Sequence, residues 1–477
     1  MSESEPEAPD TVLHDVAAAP NPPSDRLDED DRLKPEFVRA VMARVEAGDN
    51  EGARALVEPL HPADVADLFE LADRDERRAL AAALADLLDA DVFAEMNDWV
   101  REELIDALEP HEVANIAGQL ETDDAVALIE DMEEDDQRAV LRALDPDDRA
   151  AIEEALTYPE ESAGRLMQRD LIAVPEHWTI GKVIDYLRGN EDLATDFWEI
   201  FVVDPQHRPV GTMMLSWVLR TERSFAVSDV MQREQTLIPV DMDQEEVALR
   251  FQKYALISAA VVDQAGRLVG MITVDDVVHI IQEEASEDIL RLSGAGDDDI
   301  NEPIQTTIRR RLTWLVVNLG TAVIAASVVG LFQGTISRLV QLAVLMPIVS
   351  GMGGNAGTQT MAVAVRALAL NELISSNTRR MIFRELRIAS VNGLALGSLL
   401  GVAVGLYYRY PDLGIVIALA MVINNVVAGL FGIAVPVLLD KLRVDPAVSS
   451  AVFVTMATDV MGFFSFLGLA TLWGLSA

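Results

Sequence analysis

The chain of 477 residues contains no cysteine. Disulfide frameworks, thiolate metal sites and cysteine nucleophiles are therefore excluded. Lysine is almost missing, since only Lys34, Lys182, Lys253 and Lys441 accompany the arginines among 37 basic residues. Against these stand 79 acidic residues, for a formal charge of −42. A surface of that sign repels phosphate backbones, so no nucleic-acid partner is expected. Adaptation to a salty cytoplasm produces the same acidity, so charge alone is not evidence of cation binding. The start of the chain lacks the basic and apolar stretches of a secretory leader, and a cytoplasmic N-terminus is expected. Enzyme signatures are also missing: there is no G-x-x-x-x-G-K-[ST], no G-x-S-x-G and no H-E-x-x-H. An enzyme is not expected.

What is present is unevenly distributed. From Arg309 to Ala477 there are 12 basic and 6 acidic residues, a balance of +6, which leaves −48 for residues 1–308. A very acidic soluble part is joined to a weakly basic apolar part, and the length suits two to four domains. Residues 1–31 are acidic, Pro-rich and nearly free of aromatics, as in a disordered tail. Residues 32–158 read as short helices, with apolar residues at three- and four-residue spacing. Their starts are marked by proline at Pro62, Pro110 and Pro146, and the pattern L-x-P-x-[DE]-V-A recurs after 48 residues. Repeated punctuation of this kind predicts an all-α superhelical stack.

Residues 159–290 carry a duplication. Met167-Gln168-Arg169 returns as Met231-Gln232-Arg233, and Val202-Val203-Asp204 with Val210-Gly211 returns 59 residues later as Val261-Val262-Asp263 with Val269-Gly270. Each copy reads as helix, strand, turn, strand and helix, an α/β unit. These residues resemble a tandem of CBS domains, a regulatory module that often binds adenine nucleotides. The second copy has Gly270-x-x-Thr273-x-x-Asp276, whose hydroxyl and carboxylate would hold phosphate and ribose in that family. The first copy has Met214 and Trp217 at the equivalent positions. Two readings stand: one ATP site at Gly270, Thr273 and Asp276, or a dimerising core without a ligand.

After Arg309-Arg310-Arg311, five apolar spans follow at about 312–333, 339–368, 388–408, 413–439 and 450–475. Each is long enough to cross roughly 30 Å of hydrocarbon. Pro347 and the glycines at 351, 353, 354 and 357 predict a broken or kinked second span, tolerable only where it is buried in protein or lines water. Ten basic residues fall on the side of the triple arginine and two, Arg338 and Arg409, on the other. That asymmetry predicts a multi-pass protein of the cell membrane with its N-terminus cytoplasmic and C-terminus outside.

Asp459 is the single acidic residue deep within the spans, about 14 Å from the cytoplasmic end at 1.5 Å per residue. A carboxylate there costs roughly 2.5–3.5 kcal/mol on insertion scales, so it needs a partner, a cavity or an ion. Either it is a protonated aspartate hydrogen-bonded between helices, or it is a cation site with Thr455 and Thr458 beside it. The stretch Pro347 to Thr360 adds glycines and the neutral oxygens of Asn355, Thr358, Gln359 and Thr360. An oxygen-lined path suits a hard, hydrated cation such as Mg²⁺. Close packing through small residues is the alternative for the glycines.

Two motifs carry a second resemblance: P-x-x-x-G-x-G-G-N-x-G-x-Q over Pro347 to Gln359, and Asp445-Pro446-Ala447 followed by Thr458-Asp459-Val460. Together with the domain order, they resemble the MgtE family of magnesium channels across nearly the whole chain. The resemblance implies a homodimer in the lipid bilayer whose pore lies on the two-fold axis, lined by the second and fifth helices. The ion pathway would include Asp459, Thr455, Thr458, Gly353, Gly354, Asn355 and Gln359. Residues 291–311 would form a linking helix, and 312–477 the transmembrane domain. The resemblance also implies closure by cytoplasmic Mg²⁺ bound at Asp276, Glu284, Glu287 and Asp288, with Asp243 and Glu245 as further acidic candidates. Ala451 and His279 depart from the family pattern, standing where asparagine and aspartate are expected. The competing reading is a nucleotide-sensing membrane receptor or scaffold without transport, for which Asp459 and the interrupted second span would have no use.

Overall fold

The computed structural model describes residues 26–130, 132–190, 193, 197–293, 304–373 and 376–475. Most of the expected tail, and residues 294–303 of the expected linking helix, lie outside that set. The chain divides into two compact units, Met1–Val277 and Val278–Ala477.

The first unit opens with short helices: α1 (Pro35–Glu46), α2 (Asn50–Val57), α3 (Pro62–Leu71), α4 (Arg74–Ala83), α5 (Ala90–Ala94), α6 (Asp98–Ile105), α7 (Pro110–Ala117), α8 (Thr122–Ile129), α9 (Glu134–Ala143) and α10 (Pro146–Ala155). Pro62, Pro110 and Pro146 each occupy a first turn, where the missing N–H has no intrahelical partner to lose. The repeated Val-Ala of α3 and α7 is buried in both copies, within one core that also holds Phe69, Leu80, Phe93 and Ile129. Folding begins earlier than the sequence suggests: Leu27 is buried and pairs with Leu33, so apolar burial outweighs the acidic composition of residues 26–31.

The duplication appears as two three-stranded sheets. The first contains β1 (Ala173–Pro175), β2 (Glu199–Val203) and β3 (Pro209–Met214), with α11 (Ile180–Gly189), α12 (Leu215–Arg220) and α13 (Val227–Val230) around it. The second contains β4 (Leu237–Pro239), β5 (Ser258–Val262) and β6 (Leu268–Thr273), with α14 (Gln244–Tyr254) and α15 (Val274–Ser293). In both sheets the first pair is parallel, the second antiparallel, and the irregularity falls at the same step, Val202/Val203 and Val261/Val262. The repeated Met-Gln explains how the copies interlock. Gln168 bridges to Met271 of the second sheet, while Gln232 bridges to Thr212 of the first. Gly211 and Gly270 make this crossing possible, because a Cβ on Gly211 would lie 2.7 Å from the Gln232 carbonyl oxygen. Phe201, Val203, Ala260, Leu268 and Met271 form the shared core.

The second unit contains most of α15 and the long helices. These are α16 (Ile304–Leu331), the short α17 (Gln333–Arg338), α18 (Gln341–Ala369), α19 (Thr378–Tyr407), α20 (Pro411–Lys441) and α21 (Pro446–Leu472). Among the described residues, α16, α19, α20 and the Ser450–Leu472 part of α21 are long and apolar enough to cross a membrane. The 29-residue α18 has the length but not the apolar content, because Asn355, Gln359 and its glycines dilute it. It is nevertheless one continuous helix, with Pro347 inside it. Packing against α20 and α21 supports the backbone that glycine and proline would weaken in isolation. The central helix is α20, packed by α18, α19 and α21. Where α19 crosses it, Gly401 and Gly414 meet backbone to backbone, and a Cβ on Gly401 would lie 2.6 Å from the Gly414 carbonyl oxygen. This is close small-residue packing, which replaces the hydrophobic drive that lipid cannot supply.

Gly211→Ala should destabilise the paired α/β units by about 1–3 kcal/mol, because the new methyl meets backbone rather than a movable side chain. Gly189→Ala, which meets nothing within 4 Å, should not destabilise them. Calorimetric unfolding of the two variants checks the contrast.

Candidate functional site

In the second unit, α18 and α21 lie side by side, and one strip of α18 is open. Pro347, Gly351, Asn355, Thr358 and Gln359 recur at three- and four-residue spacing and are all exposed. The opposite strip, with Leu345, Val349, Gly353, Gly357 and Met361, is buried. The glycines thus divide into two roles. Gly353 and Gly357 are close-packing positions against Asn424 of α20 and Val454 of α21, whereas Gly351 and Gly354 border open space.

On α21, Asp459 is half-buried and accepts a hydrogen bond at Oδ1 from the Ser350 hydroxyl of α18. Thr455, one turn earlier, is exposed. Thr458 is buried, and its hydroxyl donates to the Thr455 carbonyl within the same helix at 3.0 Å. Asn355, Gln359 and Thr455 are therefore exposed and Asp459 is partly so, while Thr458 is turned into the packing. Ser350 and Asn424 are polar residues of this region that carry no role in the sequence reading. Asn424 is legible as the first of two adjacent amides, with Asn425, in the middle of a helix whose charged residues lie only near its ends.

The first unit contains a second concentration of charge. Glu121 precedes α8, Asp123 and Asp124 occupy its first turn, and Asp275 and Asp276 occupy the first turn of α15. Burial, followed by repulsion from Asp276, Asp124, Asp275 and Asp170, pushes Glu121 up to about 7. Asp123 is raised well above the usual carboxylate range, first by burial and then by Asp276, Asp124 and Glu121. Its Oδ1 is buried without a hydrogen-bond partner. Asp276 is also raised by burial, although the Thr273 hydroxyl counteracts this by donating to Asp276 Oδ2 at 2.6 Å. The positive ends of α8 and α15 offset part of the repulsion. Glu121 and Asp123 escape a sequence reading because they lie some 150 residues from Asp276.

The other acidic candidates have different surroundings. Asp243 caps α14 by accepting from the Glu245 backbone N–H at 3.0 Å. Glu245 and Glu284 lie on α14 and α15, and the Asp288 side chain is outside the described set. Glu287 pairs with Arg291 one turn along α15. Arg291 also donates to Asp445 Oδ2 at 2.8 Å, while Asp445 Oδ1 caps α21 through the Ala447 N–H at 2.7 Å. The end of α15 is thereby tied to the start of the helix that carries Asp459. Among the described residues, no three His, Asp or Glu side chains already converge as metal ligands. In the nucleotide pattern, Gly270 serves the packing of Met167 and Gln168, and Thr273 and Asp276 are bonded to each other.

Long apolar helices, a polar strip and a carboxylate within them define a membrane protein of the ion-transporter class. The sequence comparisons agree. The profile of the MgtE divalent cation transporter family matches residues 346–469, that of the MgtE intracellular N domain residues 60–161, and that of the CBS domain residues 227–283. The magnesium transporter MgtE of Thermus thermophilus is 31% identical over 442 residues, covering 91% of this chain and 97% of that one. The Bacillus subtilis magnesium transporter MgtE is 28% identical over 438 residues, with the same coverage of 91% and 97%. A solved cytosolic domain of the Mg²⁺ channel MgtE in complex with ATP is 29% identical with a TM-score of 0.46, covering 51% of this chain and 99% of that one. The chain belongs to the MgtE family.

The acidic cluster has a testable pH signature. Glu121 has an ordinary value of 4.5 and is raised to about 7 in the folded unit, so it favours the packed form at low pH. Between these values the unfolded chain has ionised and the folded one has not, so that advantage is lost as pH rises. In Mg²⁺-free buffer, the calorimetric midpoint of the first unit should fall from pH 4.5 to 7. Glu121→Gln should flatten this dependence.

Proposed function

We propose that this protein conducts Mg²⁺ across a membrane along the open strip of α18 and α21, with Asp459 as the carboxylate that meets the ion. The observation that carries the reading is the placement of Asp459. It is half-buried where α21 packs against α18, one turn after the exposed Thr455 and on the helix pair whose open strip carries Asn355 and Gln359, and it accepts from a neutral hydroxyl. A carboxylate and a row of amides at this depth are costly against lipid, so an aqueous path is their cheapest surrounding. One copy leaves the strip open. A second copy across a two-fold axis would enclose it and present a second Asp459, which supports a homodimer with the pore on that axis. Mg²⁺ gives up its water reluctantly. Amide and hydroxyl oxygens arranged along a wide strip can hold it through that water shell.

The expected orientation follows from basic residues flanking the helices, with α18 counted as a fifth span despite its low apolar content. In this arrangement the acidic unit faces the cytoplasm. Regulation by cytoplasmic Mg²⁺ is supported by Glu121, Asp123 and Asp276, carboxylates that repel one another and whose Asp123 Oδ1 is buried without a donor. A divalent cation between α8 and α15 would replace repulsion with attraction. It shifts the equilibrium only because it binds the closed arrangement more tightly than the open one. The same helix, α15, carries Arg291, whose pairing with Asp445 offers a route to α21. ATP is the second ligand class for Gly270, Thr273 and Asp276, supported by the pattern itself. The neighbouring Glu121 and Asp123 oppose a polyphosphate there.

Asp459→Ala should lower Mg²⁺ uptake into proteoliposomes by about tenfold or more while leaving the purified protein folded; a tenfold loss corresponds to roughly 1.4 kcal/mol. Uptake at the wild-type rate would remove Asp459 from the pathway. Asp123→Asn should raise the Mg²⁺ concentration needed for closure by at least about fivefold, the lower end of usual coupling energies. Patch-clamp titration of the cytoplasmic face measures that threshold.

A further inference from the structure

Asn424 lies at the middle of α20 and is fully buried, with 0% of its surface exposed. Its Nδ2 donates to the Val349 carbonyl of α18 at 2.8 Å, while its Oδ1 is buried with no partner. The amide occupies a slot made by two missing side chains. A Cβ on Gly353 of α18 would lie 2.0 Å from Nδ2, and one on Gly462 of α21 would lie 2.8 Å from it. Leucine has the same branched arrangement of four side-chain heavy atoms and would leave no polar atom unsatisfied there, a deficit that burial makes costly. The neighbours of the slot give the amide a use. Val349 directly precedes Ser350, which donates to Asp459, and Gly462 follows Asp459 by three residues on the same face of α21. Asn424 thus touches both helices next to the Ser350–Asp459 bond.

We infer that Asn424 is a positioning residue for ion discrimination: through the Val349 carbonyl it fixes the turn of α18 that aims Ser350 at Asp459. Ser350 then holds Oδ1 and leaves Oδ2, in a fixed direction, for the water shell of the cation. Mg²⁺ demands a near-ideal octahedron and keeps its waters, whereas Ca²⁺ accepts variable geometry. A fixed oxygen therefore favours Mg²⁺, and a wandering one loses that preference. The inference rests on Asp459 meeting the ion, as proposed above.

The test compares Mg²⁺ and Ca²⁺ uptake by the full-length protein in proteoliposomes for Asn424→Leu, Ser350→Ala, the double variant and Asp459→Ala. Asn424→Leu should lower the Mg²⁺-to-Ca²⁺ ratio by about fivefold or more. Ser350→Ala should lower it similarly, and the double variant should be no worse than Ser350→Ala, since both act through one bond. Asn424→Ser, which is smaller and still polar, serves if the leucine variant does not fold. An unchanged ratio, an equal loss for both ions with a lowered midpoint, or additive effects would overturn the inference. If Asp459→Ala itself leaves both fluxes intact, the pore reading fails instead.

Discussion

The second unit is organised around a carboxylate that hydrocarbon does not tolerate. Asp459 cannot be left to lipid, and α21 supplies no cation to neutralise it. Its surroundings show what the fold does instead: a hydroxyl from α18 takes one oxygen, and the side chain stays only half-buried. The close approach of α18, α20 and α21 follows from the same need. Ser350 can reach Asp459 only if the helices touch, and they touch because Gly353, Gly357 and Gly462 carry no side chain at the crossings. Residues that weaken an isolated helix are therefore what bring the donor to the carboxylate.

The first unit has the same problem on a different scale. Its carboxylates are in reach of water, so repulsion is relieved by holding protons rather than by a dedicated donor. Burial sets the size of the effect, and the first turns of α8 and α15 bring the groups together. Such a cluster is poor at stabilising a fold and well suited to responding to a divalent ion. Its stability depends on what occupies it, whereas a packed core would be indifferent. The interlocked sheets beneath it supply that indifferent core, through the reciprocal contacts of Met167-Gln168 and Met231-Gln232.

Features governed by local chemistry were legible in the sequence. Proline at a first turn marked the starts of α3, α7 and α10, and the duplicated strands recurred at the same spacing. Asp459 was legible because a single acid in an apolar run is costly wherever it faces. Thr458 was not: its position beside Asp459 suggested a ligand, but a helix turns about 100° per residue, which sends it into the packing while Thr455 stays outside. The two roles of the α18 glycines were equally hidden, since composition cannot say which face meets α20. Glu121 and Asp123 depend on contacts across some 150 residues, and nothing in their own helix distinguishes them from the many other acids of the chain.

The amide at Asn424 extends the same reasoning to a neutral group. A hydrogen bond to a carbonyl that already serves its own helix adds little stability, and the unsatisfied oxygen offsets that gain. Stability alone would favour leucine in this slot. What leucine cannot do is hold the α18 backbone at a fixed distance from α20 along a defined direction, because dispersion contacts are not directional and hydrogen bonds are. Discrimination between ions of equal charge rests on sub-ångström differences in where oxygens stand. A costly but directional contact placed next to the Ser350–Asp459 bond is the kind of feature such discrimination requires, and a purely apolar crossing could not substitute for it.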